Sequence, residues 1–321
     1  MNQRKDAPIG VFDSGVGGLT VAREIMRNLP HERIVYFGDT ARVPYGSKSK
    51  ETVIRYSRQI VRFLQTQNVK AIVVACNTAS ALALETIREE IDIPIIGVVK
   101  PGAKVAALTT RNKKIGLIGT RATVKSCLYK TIIQKEDPQI QVIGQACPLF
   151  VPLVEEGWLK DPVTIEIAKR YLDPLLCQDI DTLILGCTHY PLLRSMLKTL
   201  VGEQVTLVNP AYETAKELER LLKREHLEHE GEEEEEFPYR FFVSDEEAAD
   251  RWFKCRLFFI TLDEKSGAEK KTASFVLVQA ADLRDAVRKL DEGMKDTMAD
   301  YQIGAVTETA IVDVYPYGST A

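Results

Sequence analysis

Cys76 and Cys187 are the residues of this sequence whose types and settings could do chemistry. Each follows an aliphatic run, Ala71-Ile-Val-Val-Ala75 and Thr182-Leu-Ile-Leu-Gly186, and each leads into small polar residues, Asn77-Thr78 and Thr188-His189. Such runs read as buried parallel strands. The edge where these strands give way to loops is where ligands bind in open α/β sheets. Two strand-end cysteines with polar followers suggest one site built from two related halves. A thiol is a base only as its thiolate, and an ordinary cysteine is a few per cent ionised at pH 7. A helix N-terminus or an adjacent proton acceptor raises that fraction. Both cysteines are expected at such termini, with His189 and Asp13 as candidates to assist proton movement.

Three uses compete. Nucleophilic acyl transfer needs one cysteine, a histidine and an orienting group. A redox dithiol needs the sulfurs in contact, their Cβ atoms about 3.5–4.5 Å apart. Two-base proton transfer needs them apart, facing one carbon from opposite sides. One thiolate then removes a proton from a carbon acid, and the opposite thiol returns one to the other face. Cysteines carried by two mirrored lobes fit this third use best, inverting a stereocentre with no external cofactor. The bland alternative is a pair of core cysteines, common for this residue type; the polar loops behind both argue against it.

The elements that would position these residues alternate. Strands are expected at Pro8–Phe12, Arg33–Phe37, Ile93–Val98, Ile115–Gly119, Ile140–Gln145 and Val205–Val208, besides the two cysteine strands. Helices are expected at Val21–Leu29, Glu51–Thr66, Thr78–Glu90, Ile165–Leu176, Leu193–Leu200 and Ala211–Arg224. This alternation predicts an α/β fold, parallel sheets with helices on both faces. Breaks at Lys100-Pro-Gly102 and Asn209-Pro210 predict two pseudo-symmetric βα lobes, 1–98 plus 210–245 and 99–209, with the active site between them. Asp13-Ser-Gly-Val-Gly-Gly18 is a glycine-rich strand-to-helix turn that can present N–H groups to an anion. It matches neither GxxxxGK[ST] nor GxGxxG, and positive-φ glycines would explain it as a tight turn. Pro44 and Gly46 shape the loop in which Tyr45 offers a hydroxyl to a ligand.

Residues 225–236 hold eight glutamates and read as an acidic, solvated linker. Tyr239–Val243 could add one further strand. Beyond it, Trp252–Leu262 and Thr272–Gln279 are strand-like around the turn signal Asp263-Glu-Lys-Ser-Gly267. A helix-like Ala281–Met298 and a strand Ile303–Val314 complete a small α+β tail domain, 246–321, without a catalytic constellation.

Composition is that of a soluble protein, 45% hydrophobic and 27% charged, and its net charge of −4 gives no basic footprint for nucleic acid. No apolar run of about 18 residues predicts a membrane span, and Met1–Pro8 lacks the apolar centre of a signal peptide. Six cysteines without a CxxC suggest reduced thiols in a cytoplasm. No metal spacing occurs beyond His226-x-x-His229, which reads as solvated surface, so no metal site is expected.

Gly10-Val-Phe-Asp-Ser-Gly-Val-Gly-Gly-Leu-Thr20, Tyr36-Phe-Gly-Asp-Thr-Ala-Arg-Val-Pro-Tyr-Gly46, Ala75-Cys-Asn-Thr-Ala79 and Leu185-Gly-Cys-Thr-His-Tyr-Pro191 resemble glutamate racemase, as does Cys147-Pro-Leu-Phe-Val-Pro-Leu-Val-Glu155. The resemblance covers residues 8–245. It implies cofactor-independent interconversion of L- and D-glutamate, supplying D-glutamate for peptidoglycan. It also implies that Cys187 takes the α-proton from L-glutamate and Cys76 from D-glutamate, with Asp13 and His189 assisting and Glu155 a further candidate. Asp13, Ser14, Tyr45, Gly46, Asn77, Thr78, Thr188 and His189 would hold the substrate. The motifs contain no lysine, which fits the lack of a pyridoxal Schiff base. The departure comes after Phe241-Phe-Val-Ser-Asp245, where the family closes with one more helix; here Glu246–Tyr317 resembles a small uncharacterised bacterial domain. Rival readings are a racemase of aspartate or another acidic amino acid, a non-catalytic binding or redox protein on the same fold, or a tail that carries the role through a protein partner. The oligomeric state stays open, a homodimer being one candidate.

Overall fold

The computed structural model describes residues 5–229, 239–244, 251–262, 269–280, 287–290 and 301–308. The chain divides into two compact units, Met1–Tyr239 and Arg240–Ala321.

In the first unit, β1 (Ile9–Asp13), α1 (Leu19–Asn28), β2 (Ile34–Gly38), α2 (Lys50–Thr66), β3 (Ala71–Val74), α3 (Asn77–Leu82), α4 (Leu84–Arg88), β4 (Ile95–Gly97) and α5 (Val99–Thr109) come first. A second series follows: β5 (Lys114–Gly119), α6 (Arg121–Lys125), α7 (Leu128–Glu136), β6 (Gln141–Ala146), α8 (Phe150–Glu155), α9 (Pro162–Leu176), β7 (Thr182–Gly186), α10 (Arg194–Val201), β8 (Thr206–Val208) and α11 (Pro210–Arg224). Parallel pairing orders the first series β4-β3-β1-β2. It orders the second β8-β7-β5-β6. The two sheets therefore share one topology, and the α/β class with two parallel sheets expected from the sequence is the one observed. In both, the strand order reverses beside the first strand, and ligands bind at the carboxyl ends of strands at such a switch point. Cys76 follows the third strand of the first sheet and Cys187 the third strand of the second.

The central strands are buried along their length, as in Ile9–Asp13 and Thr182–Gly186. That is why they read as unbroken apolar runs. Helix α2 buries Val53, Ser57, Ile60, Val61 and Leu64, one stripe at helical spacing. Its start is fixed by Ser49, whose hydroxyl accepts a bond from Thr52 N–H. Asp161 and Asn209 do the same for α9 and α11, each with proline in the first turn.

Several sequence-based boundaries are corrected. Lys100-Pro101-Gly102 is no break but the first turn of α5; a proline is tolerated there because the first N–H groups of a helix have no internal partner. Gly102 serves a close approach, since a Cβ on it would lie 2.9 Å from the Pro210 ring at the start of α11. The helix expected over Thr78–Glu90 is two short helices parted at Ala83. His229 is not solvated surface: its side chain is 8% exposed and lies 3.2 Å from Asp6 Oδ1, and its N–H donates to Glu32 Oε1 at 3.0 Å. Its acidic neighbours in sequence hid that burial, whereas His226 is exposed. Glu32 also pairs with the buried Lys70 at 2.6 Å.

The strand expected at Tyr239–Val243 is present as β9. In the second unit β10 (Arg251–Leu262), β11 (Glu269–Ala280) and β12 (Tyr301–Glu308) form an antiparallel sheet in the order β11-β10-β12, and residues 287–290 are helical. The turn signal at 263–267, most of the acidic linker and the remainder of the tail helix lie outside the described residues. Among the described residues no helix is long and apolar enough to cross a membrane.

Candidate active site

Cys76 stands where β3 becomes α3, and its sulfur caps that helix by accepting from Ala79 N–H at 3.5 Å. Its S–H donates to Ser14 Oγ at 3.5 Å. Burial, with the charge of Asp13 second, pushes this thiol up to about 12 against the Ala79 N–H and the Ser14 hydroxyl. The helix N-terminus does not make Cys76 a resting thiolate, contrary to the sequence-based expectation. Desolvation of the charged form outweighs a one-turn helix end. At neutral pH Cys76 keeps its proton.

Cys187 differs in its surroundings. It ends β7 and is followed by the short 3-10 turn Tyr190–Leu193, not directly by an α-helix. Its sulfur lies 3.8 Å from His189 Nδ1, and His189 Nε2 lies 3.0 Å from Glu155 Oε1. Burial pulls the imidazole down, but the bonds to Cys187 and Glu155, then the charges of Cys187 and Asp13, carry it up to about 10. His189 is therefore an imidazolium at neutral pH, the counter-ion that a thiolate at Cys187 would have. Glu155 reaches it because 150–155 form the short helix α8, in a stretch whose Pro152 masks any helical signal in the sequence.

Asp13 is fully buried at the end of β1. One carboxylate oxygen accepts from Gly15 N–H at 3.2 Å and Gly18 N–H at 3.0 Å; the other has no hydrogen-bond partner. Burial raises its carboxyl above the usual range, opposed by the charge of His189 and these N–H groups. The glycine-rich turn thus grips the protein's own carboxylate. Its glycines do not sit at positive φ, and their role is closeness: a Cβ on Gly17 would lie 2.6 Å from Thr188 Oγ1 and against the His189 ring. Thr20 Oγ1 also donates to the Thr188 carbonyl at 2.9 Å. The loops after β1 and β7, from different sheets, are in contact.

The remaining expected residues gather at the same strand ends. Thr78 Oγ1 lies 2.9 Å from Thr120 Oγ1 and 3.3 Å from Thr123 Oγ1. Gly46 faces this cluster so closely that a Cβ would meet Thr120 Cβ at 2.6 Å. Tyr45 corrects another expectation. Its ring is buried and its hydroxyl donates to Asp39, whose other oxygen takes Arg42 Nε at 2.8 Å. The tyrosine proton thus anchors the loop instead of reaching for a ligand. Cys76 and Cys187 are free thiols.

The Asp/Glu/Hydantoin racemase family model matches residues 9–218. The chain belongs to that family. The glutamate racemase of Geobacter metallireducens is 52% identical over 215 residues, covering 67% of this chain and 80% of the relative. Among solved structures, glutamate racemase RacE1 of Bacillus anthracis superposes with TM-score 0.72 at 44% identity, covering 74% of this chain and 89% of that one. The Francisella tularensis glutamate racemase in complex with D-glutamate gives TM-score 0.70 at 40% identity over 75% and 89%. The resemblance read from the motifs is borne out, and the chain is an amino-acid racemase. The tail's likeness to an uncharacterised domain is borne out too, since a domain of unknown function, DUF4494, matches residues 216–317.

Sequence reading of this racemase missed Thr120, Thr123 and Tyr129. The first two follow β5 as Cys76 follows β3, and Thr120 caps α6 by accepting from Thr123 N–H; a strand-end threonine before a helix was the available signal. Tyr129 had none, because its partner lies in the other half of the unit: its hydroxyl donates to Asn77 Oδ1 at 2.7 Å.

Proposed function

We propose that this racemase interconverts L- and D-glutamate without a cofactor, Cys187 taking the α-proton of L-glutamate and Cys76 that of D-glutamate. The observation that supports this most is that the two thiols follow the third strands of two topologically equivalent sheets, Cys76 kept a thiol by burial and Cys187 set beside the cationic His189. With L-glutamate, the Cys187 thiolate breaks the Cα–H bond and becomes a thiol. Cys76 then gives its S–H proton to the opposite face of the carbanion and is left a thiolate. His189, steadied by Glu155, holds the charge at Cys187; the unpartnered oxygen of Asp13 is the group on hand to exchange protons on the Cys76 side. Ser14, Gly46, Asn77, Thr78 and Thr188 supply hydroxyls, an amide and backbone N–H groups for the substrate's carboxylates and amine. These grip anions without setting a lysine beside the thiolates.

In this reading residues 1–98 with 210–245 and residues 99–209 are the two halves, and the reaction is cytoplasmic, supplying D-glutamate for peptidoglycan. The test is incubation with L-glutamate in D₂O, following α-deuterium by NMR and optical rotation. Racemisation with deuterium uptake is the expected result. Turnover of aspartate in place of glutamate would overturn the substrate, and racemisation that persists in both Cys76→Ala and Cys187→Ala would overturn the mechanism.

A further inference from the structure

Tyr129, which belongs to neither cysteine loop, is inferred here to be a positioning residue for substrate binding; we infer that its hydroxyl fixes the Asn77 amide so that the NH₂ end faces the ligand. The inference rests on the reading of Asn77 as a substrate-binding residue. Tyr129 lies on α7, in the βα series of the second sheet, and is 1% exposed. Asn77 opens α3, after β3 of the first sheet, and is 5% exposed. The 2.7 Å bond between them spans the two halves of the unit.

The direction of that bond carries the argument. A phenol has one proton to give, and an asparagine amide has an accepting and a donating end. With Oδ1 toward the phenol, the Tyr129 proton is used and the two N–H donors of Asn77 turn away from it. With the amide reversed, the phenol proton would lose this acceptor, and a buried donor left unpaired is destabilising. The phenol cannot escape this by ionising, since burial, with the charge of Cys187 second, pushes its pKa up. Among the described residues Asn77 Oδ1 is committed to Tyr129, and the Asn77 NH₂ makes no hydrogen bond to a protein group. A carboxylate is the ligand chemistry that two fixed N–H donors next to Cys76 fit.

The experiment is steady-state racemisation in both directions by wild type, Tyr129→Phe, Asn77→Ala, Asn77→Asp and the Tyr129→Phe/Asn77→Ala pair, with melting curves for each. Loss of binding shared by ground and transition states raises KM and spares kcat. Tyr129→Phe is expected to raise KM roughly tenfold with kcat within about twofold, the scale of one charge-assisted hydrogen bond. The paired variant should match Asn77→Ala alone, because a residue acting only through another adds nothing once that other is gone. Asn77→Asp should keep the wild-type melting temperature, since its carboxylate still accepts the phenol proton, yet raise KM by at least as much. An unchanged KM in Tyr129→Phe, a loss confined to kcat, or additive losses in the pair would overturn the inference. Should Tyr129→Phe fail to fold, a wild-type KM in Asn77→Asp would overturn it instead. Absent wild-type turnover would be a failure of the two-thiol reading; the inference is then decided by calorimetric glutamate binding, which Tyr129→Phe must weaken.

Discussion

His189 stands between a sulfur and a carboxylate, its Nδ1 3.8 Å from Cys187 Sγ and its Nε2 3.0 Å from Glu155 Oε1. A ring held at both nitrogens by acceptors keeps its proton long past the ordinary imidazole range. The proposed role of His189 predicts an upper pH limit on activity. Because the pKa is raised to about 10, the imidazolium persists at neutral pH and is lost as pH rises through that value. The pH profile of kcat for L-glutamate should fall on an alkaline limb near 10. His189→Asn should lower kcat about a hundredfold, on the scale of a general acid–base group. Glu155→Gln should move the limb to lower pH with a smaller loss, because the Glu155 side chain is 44% exposed and its charge is partly screened.

The same shift has a consequence for stability. A histidine whose folded pKa is raised stabilises the fold fully below its unfolded value of about 6.5, and that contribution disappears as pH climbs through the folded value. Wild type should therefore lose melting temperature relative to His189→Asn between about pH 6.5 and 10. Parallel melting curves across that window would argue against the raised pKa.

Enantiomers are equal in free energy, so kcat/KM must be the same in both directions for any variant. The asymmetry between a resting Cys76 thiol and a Cys187 set beside the His189 imidazolium can show only in kcat and KM separately, or in exchange. With Cys187 as the proposed base for L-glutamate, Cys76→Ala should exchange the α-proton of L-glutamate with D₂O while racemising at least a thousandfold more slowly than wild type. Cys187→Ala should do the reverse, exchanging only D-glutamate. NMR of each pure enantiomer reads this directly, and exchange of the opposite enantiomers would reverse the assignment of the two thiols.

Lys70 offers a test remote from the chemistry. Its ammonium is buried 2.6 Å from Glu32 Oε2, with side chains 0% and 6% exposed, just before β3 and so at the far end of that strand from Cys76. Removing one partner of a buried pair costs about 3–5 kcal/mol, because the other charge is left in low dielectric. Lys70→Met should lower stability by that order in urea melts while leaving kcat per folded molecule unchanged.

Residues separated by one strand or one helix turn were legible in the sequence. The unbroken apolar runs at Ala71–Val74 and Thr182–Gly186 announce strands buried on both faces, and the polar residues after them announce a ligand edge. From these alone come the α/β class, two halves and both cysteines. What tertiary structure decided was every property that depends on who faces whom. The proton state of Cys76 follows from burial and from Asp13, an element away in the sheet, and overrides the helix end that local sequence offers. The glycines after β1 look like turn-makers, yet Gly17 is small because His189 and Thr188, which follow a strand of the other sheet, come against it, and Gly18 because Asp13 and Tyr36 do. Tyr129 and Thr120 join the site only because the second sheet brings them to Asn77 and Thr78. Periodicity records a residue's own element; desolvation and hydrogen bonding are set by neighbours far along the chain, and no local pattern carries them.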